Sequence, residues 1–331
     1  MIMNINTSLA VIVINWNTPD LVLECVEALR RTKGAVWHLY LVDNASADDS
    51  ADRLCDLGED VTFIQSPVNG GWTGGNNLGL RYALANGHSR FFMLNSDALV
   101  LPDTLRLLLE ESAQKPTAVL GPVQLDTCET HYNFAGSTLD PTTGMPSLPK
   151  DVPLCSPEAA MIGDVYATSY VQGSGLLVTR EHLDQLGLFD DRFYLNYDDT
   201  DFCARARAAG YEVLLVKAAR LLHHSSGSIG GGGSPLNHYF LTRNSLLFAR
   251  QHCTFRQRKA HWKKLLREEA HSIYNRGRLK RAYAILFGRN MRQLAFRRAI
   301  LDYALDRVGD CPTLIRELQA SAKASRIGKS H

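Results

Sequence analysis

Apolar and polar positions in the first 120 residues follow two alternating periods. Leu9–Ile14 is an unbroken apolar run flanked by polar residues, the pattern of a strand buried on both faces. Asp20–Arg31 follows with Leu21, Val22, Cys25, Val26 and Leu29 at helical spacing. Trp37–Val42 and Val61–Gln65 read as strands around a short helix, Ser50–Leu57. Asn76–Asn86 reads as a helix entered through a Gly/Asn-rich loop, Arg90–Leu94 as a fourth strand and Pro102–Ser112 as a further helix. Repeated β-α units imply an α/β fold with a mostly parallel central sheet, helices on both faces, and a ligand site at the carboxyl ends of the strands.

The pattern changes at residue 121. Pro, Thr, Gly and Ser are frequent up to about residue 170, and loops with short antiparallel strands are expected there. Tyr170–Thr179 reads as a strand broken by Gly173 and Gly175. Arg180–Leu186 and Asp199–Ala209 read as helices, the second closed by Gly210. Glu212–Val216 and Arg220–His223 read as two strands. Ser225–Pro235 is a Gly/Ser loop holding Gly230–Gly233, and from Leu236 the chain is helical and basic.

Composition adds three constraints. With 331 residues, 45% hydrophobic and 21% charged, the chain can bury a sizeable core and is neither disordered nor fibrous. Its seven cysteines are scattered without a CxxC pair, which excludes a disulfide scaffold or zinc ribbon and favours a reducing compartment. No apolar run reaches transmembrane length and no basic leader precedes Leu9, so a cytoplasmic protein is expected. The net charge of +2 hides a division: residues 1–250 carry 17 Lys+Arg against 28 Asp+Glu, and residues 251–331 carry 19 against 6. An acidic body and a basic C-terminal region are expected as separate units.

Five segments carry candidate chemistry. Leu41–Asp49 ends a strand in Asp43, placed either to accept a hydrogen bond from a ligand or to form a turn. Pro67–Leu80, PVNGGWTGGNNLGL, brings main-chain N–H groups close to an anionic ligand or forms a tight structural turn; its spacing is neither GxGxxG nor a P-loop. Phe91–Ala98 ends in Asn95-Ser96-Asp97, where Asp97 is placed to hold a divalent cation or to cap a turn. Gly187–Tyr211 sets Asp190, Asp191, Asp198, Asp199 and Asp201 among aromatic residues, and poorly solvated carboxylates make usable general bases. One of them capping a helix would leave the others unexplained. Leu221–Ser228 holds His223 and His224 at a strand end, as ligands or as structural histidines.

These motifs, in this order from Leu9 to His252, resemble the family 2 glycosyltransferases, in particular the bacterial rhamnosyltransferase-like branch. The resemblance implies a GT-A fold over residues 1–250, with a nucleotide-sugar-binding half (1–120) and an acceptor-binding half (121–250), followed by a basic helical region (251–331). By resemblance, Asp43 matches the carboxylate that reads the nucleotide base, and Asn15 and Asn17 border the nucleotide. Asn69, Gly71, Gly75 and Asn76 match the donor-side loop. Asn95-Ser96-Asp97 stands where the family has DxD, so Asn95 and Asp97 are expected on the nucleotide-sugar side, with Asp97 the expected ligand of Mn²⁺ or Mg²⁺ and the first aspartate missing. Asp199 matches the general base and Asp198 its neighbour; His223, or alternatively His224, matches a metal or diphosphate histidine. Gly173, Ser174 and Gly175 are expected on the acceptor side. The implied reaction is inverting transfer of a sugar, L-rhamnose from dTDP-L-rhamnose being favoured over a UDP-sugar, to a saccharide or lipid-linked saccharide of a bacterial surface polysaccharide.

The basic segments Gln257–Tyr274 and Arg278–Arg307 read as amphipathic helices, suited either to an anionic membrane surface or to packing on the body. No nucleic-acid motif accompanies the charge. A non-catalytic carbohydrate-binding protein on the same fold is the alternative of another class, and Asp97 and Asp199 speak against it.

Overall fold

The computed structural model describes residues 9–147, 152–153, 163–223, 234–274 and 291–327. The expected β-α units form in the N-terminal half. They are β1 (Leu9–Asn15), α1 (Pro19–Arg30), β2 (Trp37–Asp43), α2 (Ser50–Leu54), β3 (Val61–Gln65), α3 (Gly71–Ala85), β4 (Arg90–Asn95), β5 (Ala98–Val100) and α4 (Thr104–Gln114). β3, β2, β1 and β4 lie side by side in that order, all parallel. Side chains alternate between the faces of a strand, and in β1 both sets are apolar. Leu9, Val11 and Val13 pack with Val22, Cys25 and Leu29 of α1. Ala10 and Ile12 pack with Leu80 and Ala83 of α3.

The second half completes an 11-stranded sheet. It adds β6 (Val119–Leu125), β7 (His131–Phe134), β8 (Val152–Pro153), β9 (Val165–Ala167), β10 (Gly175–Thr179) and β11 (Val213–His223), with helices α5 (Arg180–Leu186) and α6 (Asp198–Ala208). β10 runs antiparallel to β4 and β6, and β6 pairs in parallel with β11. β11 takes β5 and β9 antiparallel, while β7 joins β6, and β8 joins β7, in the same antiparallel sense.

Three elements depart from the periodicity. The strands expected over Glu212–Val216 and Arg220–His223 are one strand, β11, because β6 pairs with both halves across an irregularity between Val216 and Arg220. The strand expected over Tyr170–Thr179 is confined to Gly175–Thr179. The Gly/Asn-rich segment before Asn76 is not a loop: α3 begins at Gly71 and includes it. Glycine is a poor helix former, but here the helix lies so close to β1 that a Cβ on Gly75 would stand 2.9 Å from Ile14 Cδ1. Packing against the sheet outweighs intrinsic propensity.

The chain folds as two compact units. The first comprises Met1–Thr138, Ser147–Tyr194 and Asp198–Ser228; the second comprises Leu139–Pro146, Leu195–Tyr197 and Ile229–His331. The division therefore falls near residue 229, where the charge profile suggested 250. The second unit contains α7 (Pro235–His252), α8 (Phe255–Tyr274), α9 (Met291–Ala304) and α10 (Thr313–Ile327). Ser234 caps α7 by accepting from Asn237 N–H at 3.1 Å. Tyr239, Phe240, Phe248 and Ala299 are buried in this unit, and Asp302, also buried, accepts from Tyr239 Oη and Arg298 Nε, both at 2.8 Å. The basic region thus has a core of its own. Among the described residues no helix is long and apolar enough to cross a membrane. His224, the run Gly230–Gly233, and Leu286 and Phe287 with the rest of the 278–290 stretch lie outside the described residues.

Candidate active site

Parallel register brings the polar ends of the strands to one level in the first unit: Asn15 of β1 lies opposite Asp43 of β2, Asp43 opposite Gln65 of β3, and Ile14 opposite Asn95 of β4. Asp43 is fully buried and held by three neighbours. Its Oδ1 accepts from Asn15 Nδ2 at 2.8 Å, and its Oδ2 accepts from Gln65 Nε2 at 2.7 Å and from Ser46 N–H at 3.1 Å. Ser46 Oγ in turn accepts from Asn15 Nδ2 and from Asn17 N–H. Asn17 adopts a left-handed conformation (φ 54°), and its Oδ1 accepts from Ala47 N–H at 2.7 Å. Asn15, Asn17 and Asp43 therefore lace the β1 and β2 loops into one rigid floor, with Ser46 and Gln65 as unforeseen members.

The glycine segment is tied to that floor through Asn44. Its Nδ2 donates to Asn69 Oδ1 (3.1 Å) and to Gly71 O (2.9 Å), and its Oδ1 accepts from Gly70 N–H (3.0 Å). Asn69 Oδ1 also accepts from Gly71 N–H (2.9 Å) and from Tyr194 Oη (3.2 Å). Gly71 has φ +70°, and a Cβ there would lie 2.3 Å from Tyr194 O, so glycine is required on both counts. Asn76 is buried; its Nδ2 donates to Trp72 O (3.0 Å), and its Oδ1 has no partner among the described residues.

β4 ends at Asn95, and β5, which starts at Ala98, pairs with β11 so that His223 lies opposite Ala98. This pairing sets Asp97 Oδ1 3.3 Å from His223 Nε2, both side chains partly exposed. One carboxylate oxygen and one imidazole nitrogen suit Mn²⁺ better than Mg²⁺, which prefers an all-oxygen shell. No group of three or more candidate metal ligands occurs among the described residues, so these two would share an ion with ligand oxygens. Asn95 Oδ1 accepts from Trp72 Nε1 at 2.8 Å.

The five aspartates separate by partner. Asp190 pairs with Arg192, Asp201 pairs with Arg205 at 2.8 Å, and Asp191 accepts from Asn77 Nδ2 at 2.8 Å. Asp198 and Asp199, at the start of α6, have no cation beside them among the described residues. Asp199 is half-buried. Its Oδ2 accepts from Gly173 N–H (2.9 Å), and its Oδ1 accepts from Thr200 N–H (2.6 Å) and Thr200 Oγ1 (3.1 Å). Burial raises its pKa against the pull of those donors. Asp198 is buried, and burial first, with the Asp199 charge second, pushes it well above the usual carboxylate range.

Gly173, Ser174 and Gly175 are all buried. A Cβ on Gly173 would lie 2.3 Å from Trp72 Cζ2, and one on Gly175 would lie 2.6 Å from Leu221 Cδ2. Ser174 Oγ accepts from Gln124 Nε2 at 2.6 Å. Here their visible work is to let Trp72 and β11 approach β10 and to present the Gly173 N–H to Asp199.

Residues 10–167 match the profile of Glycosyl transferase family 2. The chain is 22% identical over 263 residues to the dTDP-rhamnosyl transferase RfbF of Shigella flexneri, covering 74% of this chain and 81% of that protein. It is similar in structure to the mannosyltransferase PcManGT from Pyrobaculum calidifontis, solved with GDP-Man and Mn2+. That likeness has a TM-score of 0.56 and 16% identity over 91% of this chain and 87% of the other. GalNAc-T7, solved with UDP, GalNAc and Mn2+, is similar with a TM-score of 0.55 at 14% identity, spanning 76% of this chain and 55% of that one.

Proposed function

We propose that the chain, whose residues 10–167 match the Glycosyl transferase family 2 profile and which has a GT-A fold, is a glycosyltransferase that transfers a hexose, L-rhamnose from dTDP-L-rhamnose in the favoured reading, to a saccharide hydroxyl with inversion. The observation that carries the reading is the sorting of the aspartates: Asp199 alone is half-buried, free of a cation and still held by three donors. Asp199 takes the proton of the acceptor hydroxyl as that oxygen bonds to the anomeric carbon. The bond from that carbon to the diphosphate breaks, and the nucleoside diphosphate leaves. The Gly173 N–H and Thr200 keep both carboxylate oxygens oriented, and the pKa raised by burial makes Asp199 a stronger base than a solvated carboxylate. Asp97 and His223 would hold a divalent cation, which supplies neutralisation of charge on the leaving diphosphate. Asn15, Asn17, Asp43, Asn69, Gly71, Gly75 and Asn76 form and brace the pocket floor on the nucleotide side. The relative from Shigella flexneri, a dTDP-rhamnosyl transferase, supports the donor.

A lipid-linked acceptor and a station at an anionic membrane belong to the same proposal. They are supported in the second unit by Phe255, 73% exposed, beside Arg258 and Lys259 on α8.

The reaction is tested by offering dTDP-L-rhamnose, UDP-glucose and GDP-mannose, each with Mn²⁺ or with EDTA, and following release of nucleoside diphosphate. Metal-dependent release from the dTDP-sugar is the expected result. Release from the UDP-sugar alone would transfer the proposal to that donor, and no release from any would defeat it.

A further inference from the structure

Trp72 carries no ionisable group and the reaction above assigns it nothing, yet it touches both halves of the chemistry. Its Nε1–H donates to Asn95 Oδ1 at 2.8 Å. Its six-membered ring covers Gly173, whose N–H holds Asp199 at 2.9 Å. The ring meets Phe189 edge-on, with centroids 5.1 Å apart at 76°, and its carbonyl accepts from Asn76 Nδ2 at 3.0 Å. Fixed in this way, the indole cannot turn away from Asn95.

An indole N–H can only donate, so the amide end facing it must be the oxygen. The Nδ2 group of Asn95 then points the other way, on a half-buried side chain, and meets no acceptor among the described residues. We propose that Trp72 is a positioning residue that locks Asn95 with its amide nitrogen free, so that Asn95 binds the nucleotide sugar as a hydrogen-bond donor to an acceptor oxygen of its diphosphate or its sugar. The proposal rests on the nucleotide-sugar reading of this site. It explains why an asparagine is serviceable two residues before Asp97: an N–H donor there favours an anionic ligand without needing a cation, whereas a second carboxylate would repel it.

Calorimetric titration of the full chain in EDTA tests this, with dTDP and dTDP-L-rhamnose (or UDP and UDP-glucose, if the donor is a UDP-sugar) as probes. Asn95→Asp replaces the donor by an anionic acceptor and is expected to weaken binding about tenfold or more, the scale of a hydrogen bond to a charged group. Weakening with the bare diphosphate places the bond on phosphate, and weakening only with the sugar-bearing compound places it on a sugar hydroxyl. Trp72→Phe keeps an aromatic side chain but loses the N–H, and should weaken binding in the same sense. In an Asn95→Ala background Trp72→Phe should cost nothing further, since its effect runs through the amide. A purely structural role would give additive losses, and additivity, or unchanged binding in Asn95→Asp, overturns the inference. Wild type that binds none of the four ligands, with Mn²⁺ or without, overturns the nucleotide-sugar reading and this inference together.

Discussion

Asp198 and Asp199 are neighbours in sequence, both with pKa raised by burial, but only Asp199 is partly exposed and held by Gly173 and Thr200, and they should answer substitution differently. Asp199→Asn keeps the shape and, through its one amide oxygen, the bonds to either Gly173 or Thr200 but not both, and it removes the base. It is expected to lower kcat by ~10²–10⁴-fold, the usual contribution of a positioned base, while leaving nucleotide affinity intact. Turnover within a few-fold of wild type would remove Asp199 from the reaction. Because burial raises the Asp199 pKa, activity should rise with pH along an acid limb above the ordinary carboxylate range. Asp198 makes a stability prediction. Its folded pKa lies well above that of an unfolded aspartate, about 3.9, so the folded state holds its proton more tightly. The stability this contributes is complete below about pH 4 and is lost as pH rises through the folded value. Asp198→Asn carries no such proton, so its Tm relative to wild type should climb as pH rises above about 4. Parallel Tm curves would mean that Asp198 is not held neutral.

Element α3 shows where sequence reading works and where it fails. Helical periodicity after Asn76 was legible because Leu80, Ala83 and Leu84 recur at three- and four-residue spacing. The preceding glycines read as a loop because the reason for them, contact with Ile14 and Tyr194, lies far along the chain. The same holds for the site. Motif positions at strand ends were legible from local pattern, since a strand ending in Asp43, or running out just before Asp97, announces itself. The members that brace them, Gln65, Gln124 and Trp72, are joined through register and packing that no local window contains. Trp72 stood inside the glycine motif, but only the structure pairs it with Asn95. Two glycines of α3 can be separated by experiment. A Cβ on Gly74 would meet nothing within 4 Å and its φ is not positive, so Gly74→Ala should stabilise by roughly 0.5–1 kcal/mol. If the donor lies along this turn, nucleotide affinity should fall even as Tm rises. Gly75→Ala drives its methyl against Ile14 and should instead cost about 1–3 kcal/mol. Denaturant titration of both variants checks the signs, and equal effects would mean the helix does not bear on β1 through Gly75.

Over the whole molecule, charge and apolar exposure are distributed unevenly. Residues 1–250 are acidic and residues 251–331 carry 19 Lys+Arg against 6 Asp+Glu. Within the second unit a groove of about 380 Å³ is lined by Leu246, Phe255, Arg258, Lys259, Trp262 and Tyr303. Phe255, Leu266, Leu301 and Leu305 are also left exposed there. The buried Asp302 network shows that this unit does not need a membrane to bury its core, so its exposed aromatic and basic residues are available for another surface. Phe255, Lys259, Trp262, Lys263 and Leu266 recur every three to four positions and share one face of α8. Basic residues near an anionic bilayer contribute about 1 kcal/mol each, and apolar side chains beside them add buried area. The full chain should therefore float with vesicles containing phosphatidylglycerol and not with pure phosphatidylcholine, and high salt should weaken the association. Phe255→Ala combined with Leu266→Ala should reduce flotation while transfer to a soluble saccharide acceptor is retained, because both residues lie on the unit that holds none of the reacting groups. Equal flotation with both lipids would remove the role of the basic residues, and none with either would leave the basic unit with a packing role alone, the acceptor then reaching Asp199 from solution.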